Sequence, residues 1–120
     1  MSGNLNELVD RYIATWNETD GARRRALVGK TFTETASYVD PMMLGDGQAG
    51  IDAMIAGAQS RFGGMRFRLS GKIDAFKDRV RFSWELGADN RDAYVKGTDF
   101  AVIADGRLQS VTGFIDQMPA

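Results

Sequence analysis

The segment Ala36-Ser37-Tyr38-Val39-Asp40-Pro41 places a tyrosine and a carboxylate two residues apart at the end of a predicted strand. In an extended chain, residues two apart point to the same face of the strand, so Tyr38 and Asp40 are expected side by side. Pro41 disfavours a helical conformation at Asp40 and ends the strand. The segment therefore has two interpretations: a plain turn, or a strand end that carries a general base.

The composition limits the chemistry of the chain. Its 120 residues are 43% hydrophobic and 26% charged, which predicts a single domain over residues 1–120 with one core. Cysteine and histidine are both absent, so thiolate nucleophiles and the commonest metal ligands are excluded, and we predict no cofactor and no metal site. Acid–base chemistry is left to Asp, Glu, Tyr and Lys.

The charge pattern does not indicate a nucleic-acid partner, because the net charge is -1 and the longest basic block is Arg23-Arg24-Arg25. This triplet is expected to be solvated, since three successive helical residues fan around the helix. No apolar run approaches the ~20 residues that cross a bilayer, and the polar residues that follow Met1 do not resemble a signal peptide. We therefore expect a cytoplasmic protein with no membrane contact.

The first half of the chain is expected to contain three helices. Apolar residues at helical spacing predict the first from Leu5 to Trp16, with Asn4 and Glu7 as a capping pair. A second is predicted over residues 21–28, capped by Asp20. Its expected apolar contacts are Ala22, Ala26 and Leu27.

The third helix follows the glycine-rich residues 42–50 and ends at Gly63-Gly64. The glycines approximate a phosphate-binding spacing, but no βαβ unit surrounds them, which argues against a nucleotide site. The predicted apolar face of this helix consists of Ile51, Met54, Ile55, Ala58 and Phe62.

The second half of the chain alternates apolar and polar residues, which predicts an antiparallel sheet. Strands are expected from Met65, from Arg79, over residues 93–104 and over residues 107–115, with Asp105-Gly106 as a tight hairpin. A turn is expected at residues 88–92. The last two strands are apolar on both faces, and three helices cover one face only, so we predict a homodimer through the other.

This order of elements resembles the nuclear transport factor 2-like superfamily, in particular its SnoaL-like (polyketide cyclase-like) bacterial members. The resemblance implies an α+β fold with a cone-shaped, strongly bent, mostly antiparallel sheet. Three helices would lie on its concave side, around an apolar pocket for a small hydrophobic molecule. The residues that carry it are Tyr12-x-x-x-Trp16-Asn17, Tyr38-Val39-Asp40-Pro41, Gly50-Ile51, Gly97-Thr98-Asp99-Phe100, Asp105-Gly106-Arg107 and Gly113-Phe114.

The chain is also similar in part to the site of delta-5-3-ketosteroid isomerase, which combines an aspartate base with a tyrosine and a protonated aspartate. The resemblance implies that Asp40 is the base, and that Tyr12 and Asp99 donate hydrogen bonds to the developing oxyanion. The pKa of Asp99 must then rise from ~3.9 past neutrality by desolvation. The expected substrate-binding residues are Trp16, Tyr38, Met42, Met43, Phe62, Trp84 and Phe114.

Each of these residues also has a structural interpretation. Tyr12 lies on a buried helical face and can be a core tyrosine. Asp99 can cap a loop or pair with Arg81 or Lys96, and its strand can present either face to the pocket. Trp16, like Trp84, can be part of the core.

Three functions remain open. The first is a cofactor-free isomerase or aldol-type cyclase, with Asp40 as the base that acts on a small apolar carbonyl compound. The second is a non-catalytic protein that binds a small hydrophobic ligand. The third is a protein-interaction module that uses the sheet face. An epoxide hydrolase is disfavoured, because the sequence places no arginine beside Asp40 or Asp99.

Overall fold

The structure, a computed structural model, describes residues 2–88 and 93–119 of the chain. The predicted turn at residues 88–92 lies almost entirely outside the described residues. The helices within these ranges are α1 (Ser2–Asn17), α2 (Gly21–Thr31) and α3 (Gly47–Arg61). The strands are β1 (Phe32–Val39), β2 (Leu44–Asp46), β3 (Arg66–Phe76), β4 (Arg79–Gly87), β5 (Val95–Ala104) and β6 (Arg107–Gln117).

The strands form one curved sheet in the order β2-β1-β6-β5-β4-β3, with the helices on its concave side. The β1–β6 pair is parallel and every other pair is antiparallel, which confirms the predicted α+β class and the mostly antiparallel sheet. The pairing of β3 with β4 shifts register between Ser70 and Asp74, and the pairing of β5 with β6 shifts between Val102 and Ile103. Irregularities of this kind bend the strands. Neither the parallel pair nor the three-residue β2 was predicted.

Helix α1 packs its apolar face into the concave side of the sheet, as its spacing predicts. Its buried residues include Leu8, Val9, Tyr12, Ile13 and Trp16. The helix begins at Ser2, so the predicted capping pair lies inside the helix, and the predicted start is wrong by about one turn.

Helix α2 begins as predicted, because the carboxylate of Asp20 accepts a hydrogen bond from the backbone N–H of Arg23 at 2.9 Å. The prediction of its apolar contacts was wrong. Ala22 and Ala26 are exposed and Leu27 is partly exposed, whereas the buried residues are Arg24, Val28 and Thr31.

Arg24 corrects the expectation that the whole arginine triplet is solvated. Its guanidinium pairs with Asp52 of α3 at 2.8 Å and donates to Gln59 at 2.9 Å. The Gln59 amide in turn donates to the backbone oxygens of Trp16 and Glu18 at 3.0 and 2.7 Å. A charge with such partners can be buried, and this network ties the end of α1 to α3.

The convex face of the sheet carries exposed aromatic side chains: Phe100 is 38% exposed and Phe114 is 57% exposed. The structure consists of one chain, so the homodimer and the protein-interaction module stay predictions. Sedimentation at the monomer mass at micromolar concentration would contradict the homodimer. Among the described residues, no helix is long and apolar enough to cross a membrane.

Candidate functional site

A cavity of about 30 Å³ lies between α1, the end of α3 and the concave face of the sheet. All of the predicted site residues except Phe114 line it. Phe114 points to the convex face, where it is exposed, so the structure does not bring it to the site. The lining residues that the sequence did not indicate are Ile13, Ala58, Phe67, Leu86, Val95 and Ile115.

The first polar group in the cavity wall is the Tyr38–Asp40 pair. The Tyr38 hydroxyl donates to Asp40 Oδ2 at 2.6 Å, which agrees with the predicted common face. Asp40 Oδ1 accepts from the backbone N–H groups of Met42 and Met43 at 2.8 and 2.9 Å. Three donors and a tight turn therefore hold the Asp40 carboxylate, which remains half-buried at the end of β1.

The second polar group is the Tyr12–Asp99 pair. The Tyr12 hydroxyl donates to Asp99 Oδ2 at 2.6 Å, and Trp84 Nε1 donates to Asp99 Oδ1 at 2.9 Å. Asp99 is only 2% exposed, so the face of β5 that carries it lines the cavity. The alternative ion pairs of Asp99 are absent: Arg81 binds Asp74 instead, and no ion pair joins Asp99 to Lys96 among the described residues.

Gly113 allows the two pairs to converge. It lies opposite Asp99 in the β5–β6 ladder. A Cβ at this position would lie 3.0 Å from Asp99 Oδ1 and 3.1 Å from both the Tyr38 hydroxyl and Asp40 Cβ. The absence of a side chain there leaves room for both carboxylates on one wall, a role that the sequence alone did not reveal.

Gly97 makes room for the second donor to Asp99. It lies opposite Trp84 in the β4–β5 ladder, and the Trp84 ring occupies the space that a Cβ on Gly97 would need. The indole can therefore lie flat across β5 and direct its N–H to Asp99.

Burial raises the pKa of Asp99 to about 6, and the negative charge of Asp40 adds to the rise, while the hydrogen bonds from Tyr12 and Trp84 oppose it. The direction agrees with the expectation that desolvation raises this pKa. Burial also raises the pKa of Tyr12 and of Tyr38, so both hydroxyls keep their protons. Asp99 thus accepts two hydrogen bonds in a buried setting that disfavours its charged form.

The described residues contain no cluster of three or more carboxylates positioned to hold a metal ion. The chemistry that the site can support is proton transfer, since carboxylates and hydroxyls line one wall of an otherwise apolar cavity.

Comparison with known proteins identifies a family for this fold. Residues 9–111 match the family model of the SnoaL-like domain. Among curated proteins there is no match.

Solved structures show the same fold. A "putative isomerase of the SnoaL-like family" from Agrobacterium tumefaciens is 43% identical over 98% of this chain and 100% of its own, with a TM-score of 0.90. A "putative ketosteroid isomerase" from Kribbella flavida is 16% identical over 98% of this chain and 82% of its own, with a TM-score of 0.70. A "putative SnoaL-like polyketide cyclase" from Jannaschia is 16% identical over 92% of this chain and 86% of its own, with a TM-score of 0.69.

Proposed function

The chain belongs to the SnoaL-like family, and from this premise we propose that it is a cofactor-free proton-transfer enzyme of the isomerase or aldol-type cyclase class. Its substrate is a small apolar carbonyl compound. Family membership alone does not choose this function, because one fold hosts many activities.

One observation supports the proposal above all: two hydrogen-bonded tyrosine–aspartate pairs meet at Gly113 in the wall of an apolar cavity. An apolar cavity favours a carbonyl substrate over a charged one and strengthens electrostatic interactions with the charge that develops during proton transfer. A carboxylate within the same cavity can take the proton from the carbon next to the carbonyl group.

The geometry favours Asp99 as the base, although the sequence resemblance implied Asp40. Asp99 accepts two hydrogen bonds, whereas Asp40 accepts three, two of them from backbone N–H groups. Burial also raises the pKa of Asp99, which makes this carboxylate a stronger base than an exposed one. Asp40 then acts through its charge, which raises the pKa of Asp99.

In the reaction, the C–H electron pair moves into the carbonyl group and forms an enolate, while the proton moves to Asp99. An isomerase returns the proton to another carbon of the same enolate. In a cyclase the enolate carbon attacks a second carbonyl group of the substrate, and the new alkoxide takes the proton. In both cases Asp99 ends the cycle ionised.

The cavity of about 30 Å³ must widen to admit such a substrate. Met42, Met43 and Ala58 also line an outer groove of about 490 Å³, so the two spaces share a wall. Methionine side chains are flexible, so the proposal requires a change of rotamer at Met42 or Met43 that joins the two spaces.

The proposal is tested by the conversion of cyclohex-3-en-1-one into its conjugated isomer, followed by ultraviolet absorbance. We expect Asp99→Asn to lower kcat/KM by about 10²–10⁴-fold and Asp40→Asn to lower it far less. Asp74→Asn is the control, because this carboxylate is exposed and, within residues 2–88 and 93–119, pairs with Arg81 alone.

The outcomes separate the two assignments. A large loss in Asp40→Asn with little change in Asp99→Asn would make Asp40 the base, as the resemblance implies. Equal rates in the wild type and in both variants, over a panel of unsaturated ketones and diketones, would contradict proton-transfer catalysis.

A second candidate is a non-catalytic protein that binds a small hydrophobic ligand. It is favoured by the hydroxyl protons of Tyr12 and Tyr38, which are both engaged within the protein and are not free to donate to a substrate oxygen. Binding of the ketones without turnover in the same panel would select it.

A further inference from the structure

Trp16 has a buried donor that the fold does not use. Its Nε1 is the one buried side-chain nitrogen or oxygen, within the part of the chain that the structure describes, that has no hydrogen-bond partner. The residue is 6% exposed and lines the cavity. A buried donor left unpaired is costly, so such a group calls for an explanation.

The surroundings of Trp16 hold its ring in place. The ring packs against Tyr38 with 5.4 Å between centroids and against Phe67 with 5.2 Å. The backbone oxygen of Trp16 is bound by Gln59, which belongs to the Arg24 network. Both the ring and the helix end that carries it are therefore fixed, which is what a positioned donor requires.

The N–H of Trp16 lies near the Tyr12 hydroxyl. Burial and the charge of Asp99 raise the pKa of Tyr12, and the neighbouring Trp16 N–H opposes this rise. The two groups nevertheless form no hydrogen bond of normal geometry. The Trp16 donor is thus a neighbour of the Tyr12–Asp99 pair.

The other donors of this wall are already engaged. The hydroxyl of Tyr12 and the indole of Trp84 donate to Asp99. The hydroxyl of Tyr38 and the backbone N–H groups of Met42 and Met43 donate to Asp40. Among the described donors of this wall, Trp16 is left to bind an acceptor that comes from outside.

We propose that the indole N–H of Trp16 binds the carbonyl oxygen of the substrate. An indole nitrogen can only donate a hydrogen bond and a ketone oxygen can only accept one, so the two are complementary. The inference rests on the proposed function, because it names the residue that orients the carbonyl group beside Asp99. As the proton moves to Asp99, negative charge grows on the oxygen and strengthens this bond.

The first experiment observes the donor directly. The chain has two tryptophans, so ¹⁵N-labelled protein gives two indole signals, and Trp16→Phe assigns them. We expect cyclohex-2-en-1-one to move the Trp16 indole proton downfield and cyclohexene to leave it in place. The Trp84 signal is the internal control, since its N–H already binds Asp99.

An unmoved Trp16 signal at saturating enone, with or without shifts of the Met42 and Met43 methyl groups, would overturn the inference. Equal shifts with enone and cyclohexene would overturn it too, because packing alone would then account for them.

The second experiment removes the N–H and keeps the shape. Replacement of Trp16 by 3-benzothienylalanine preserves the two fused rings and exchanges the N–H for sulfur. We expect enone affinity to fall about 3- to 10-fold, the range for one neutral hydrogen bond, while cyclohexene affinity is unchanged. An equal change for both ligands would show that the role of Trp16 is packing.

These outcomes are separate from those of the proposed function. Loss of enone selectivity in a protein that shows no turnover would uphold the Trp16 donor and reject the enzyme. Turnover by the benzothienyl protein with an unchanged KM and kcat would uphold the enzyme and reject the Trp16 donor.

Discussion

The Tyr38–Asp40 pair and the Tyr12–Asp99 pair have the same chemistry and the same hydrogen-bond length of 2.6 Å, but they are built in different ways. The first joins residues two apart in sequence, and the second joins residues 87 apart. Asp40 is half-buried and held by backbone N–H groups of its own turn, whereas Asp99 is 2% exposed and held by side chains of α1 and β4.

This difference shows how one protein can prepare two similar carboxylates for different roles. A turn that supplies backbone donors holds a carboxylate in place wherever the turn forms. A carboxylate in the core instead loses the solvation of its charged form, and burial accordingly raises the pKa of Asp99 to about 6. Under the proposed function, the buried pair contains the base and the local pair supplies a fixed charge beside it.

The largest expected effect comes from displacing Trp84, the second hydrogen-bond donor to Asp99 of the buried pair. In Gly97→Ala the new Cβ would overlap the Trp84 ring and lie 2.7 Å from the backbone oxygen of Phe114. We expect a loss of about 3 kcal/mol or more in the free energy of unfolding, since neither the ring nor the backbone can move freely. Urea denaturation measures it.

Gly57→Ala is the matched control, because nothing lies within 4 Å of its added Cβ and the residue is in α3. There we expect a gain of about 0.5–1 kcal/mol from helix propensity. Equal stability of Gly97→Ala and the wild type would mean that Trp84 does not need this space.

The second prediction concerns the cost of ionising Asp99. Its pKa is raised from 3.8 to about 6 in the folded protein, so between these values the folded state binds more protons than the unfolded state. The contribution of Asp99 to the free energy of unfolding is therefore fully present below pH 3.8. It is lost as the pH rises through about 6, by about 3 kcal/mol in total.

Asp99→Asn cannot ionise, so its stability relative to the wild type should increase by about this amount as the pH rises from 4 to 7. Urea denaturation across this range measures the difference. Asp40→Asn, which alters the local pair, should show a smaller change. A difference between Asp99→Asn and the wild type that does not vary with pH would contradict the raised pKa.

The smallest expected effect compares the two tyrosines. Tyr12→Phe removes a hydrogen bond that lowers the pKa of Asp99, so this pKa should rise above about 6, by roughly one unit. Tyr38→Phe removes a hydroxyl that binds Asp40, so the pKa of Asp99 should change less. ¹³C NMR of the Asp99 carboxyl carbon against pH measures both, and equal shifts in the two variants would mean that the pairs do not act separately.

Much of the fold was predictable because its signals are local. The apolar spacing of α1, the Asp20 cap and the Asp105-Gly106 hairpin were predicted and are present, and both hairpin residues have the positive φ, 53° and 77°, that such a turn needs. The three-residue β2 was missed, because a strand this short has no alternation to detect. Arg24 was misread, because its partners Asp52 and Gln59 lie on another helix.

The sequence by itself determined the local half of the site. Tyr38 and Asp40 are two residues apart at a strand end that precedes Pro41, and this spacing is enough to place them side by side. Only the tertiary structure decided the other half. It determines which face of β5 lines the cavity and brings the donors of Tyr12 and Trp84 to Asp99. It also determines that Gly113 leaves room for both carboxylates and that Trp16 keeps an unused donor. The physical reason is that burial and desolvation depend on which elements pack together, and no short stretch of sequence contains that information.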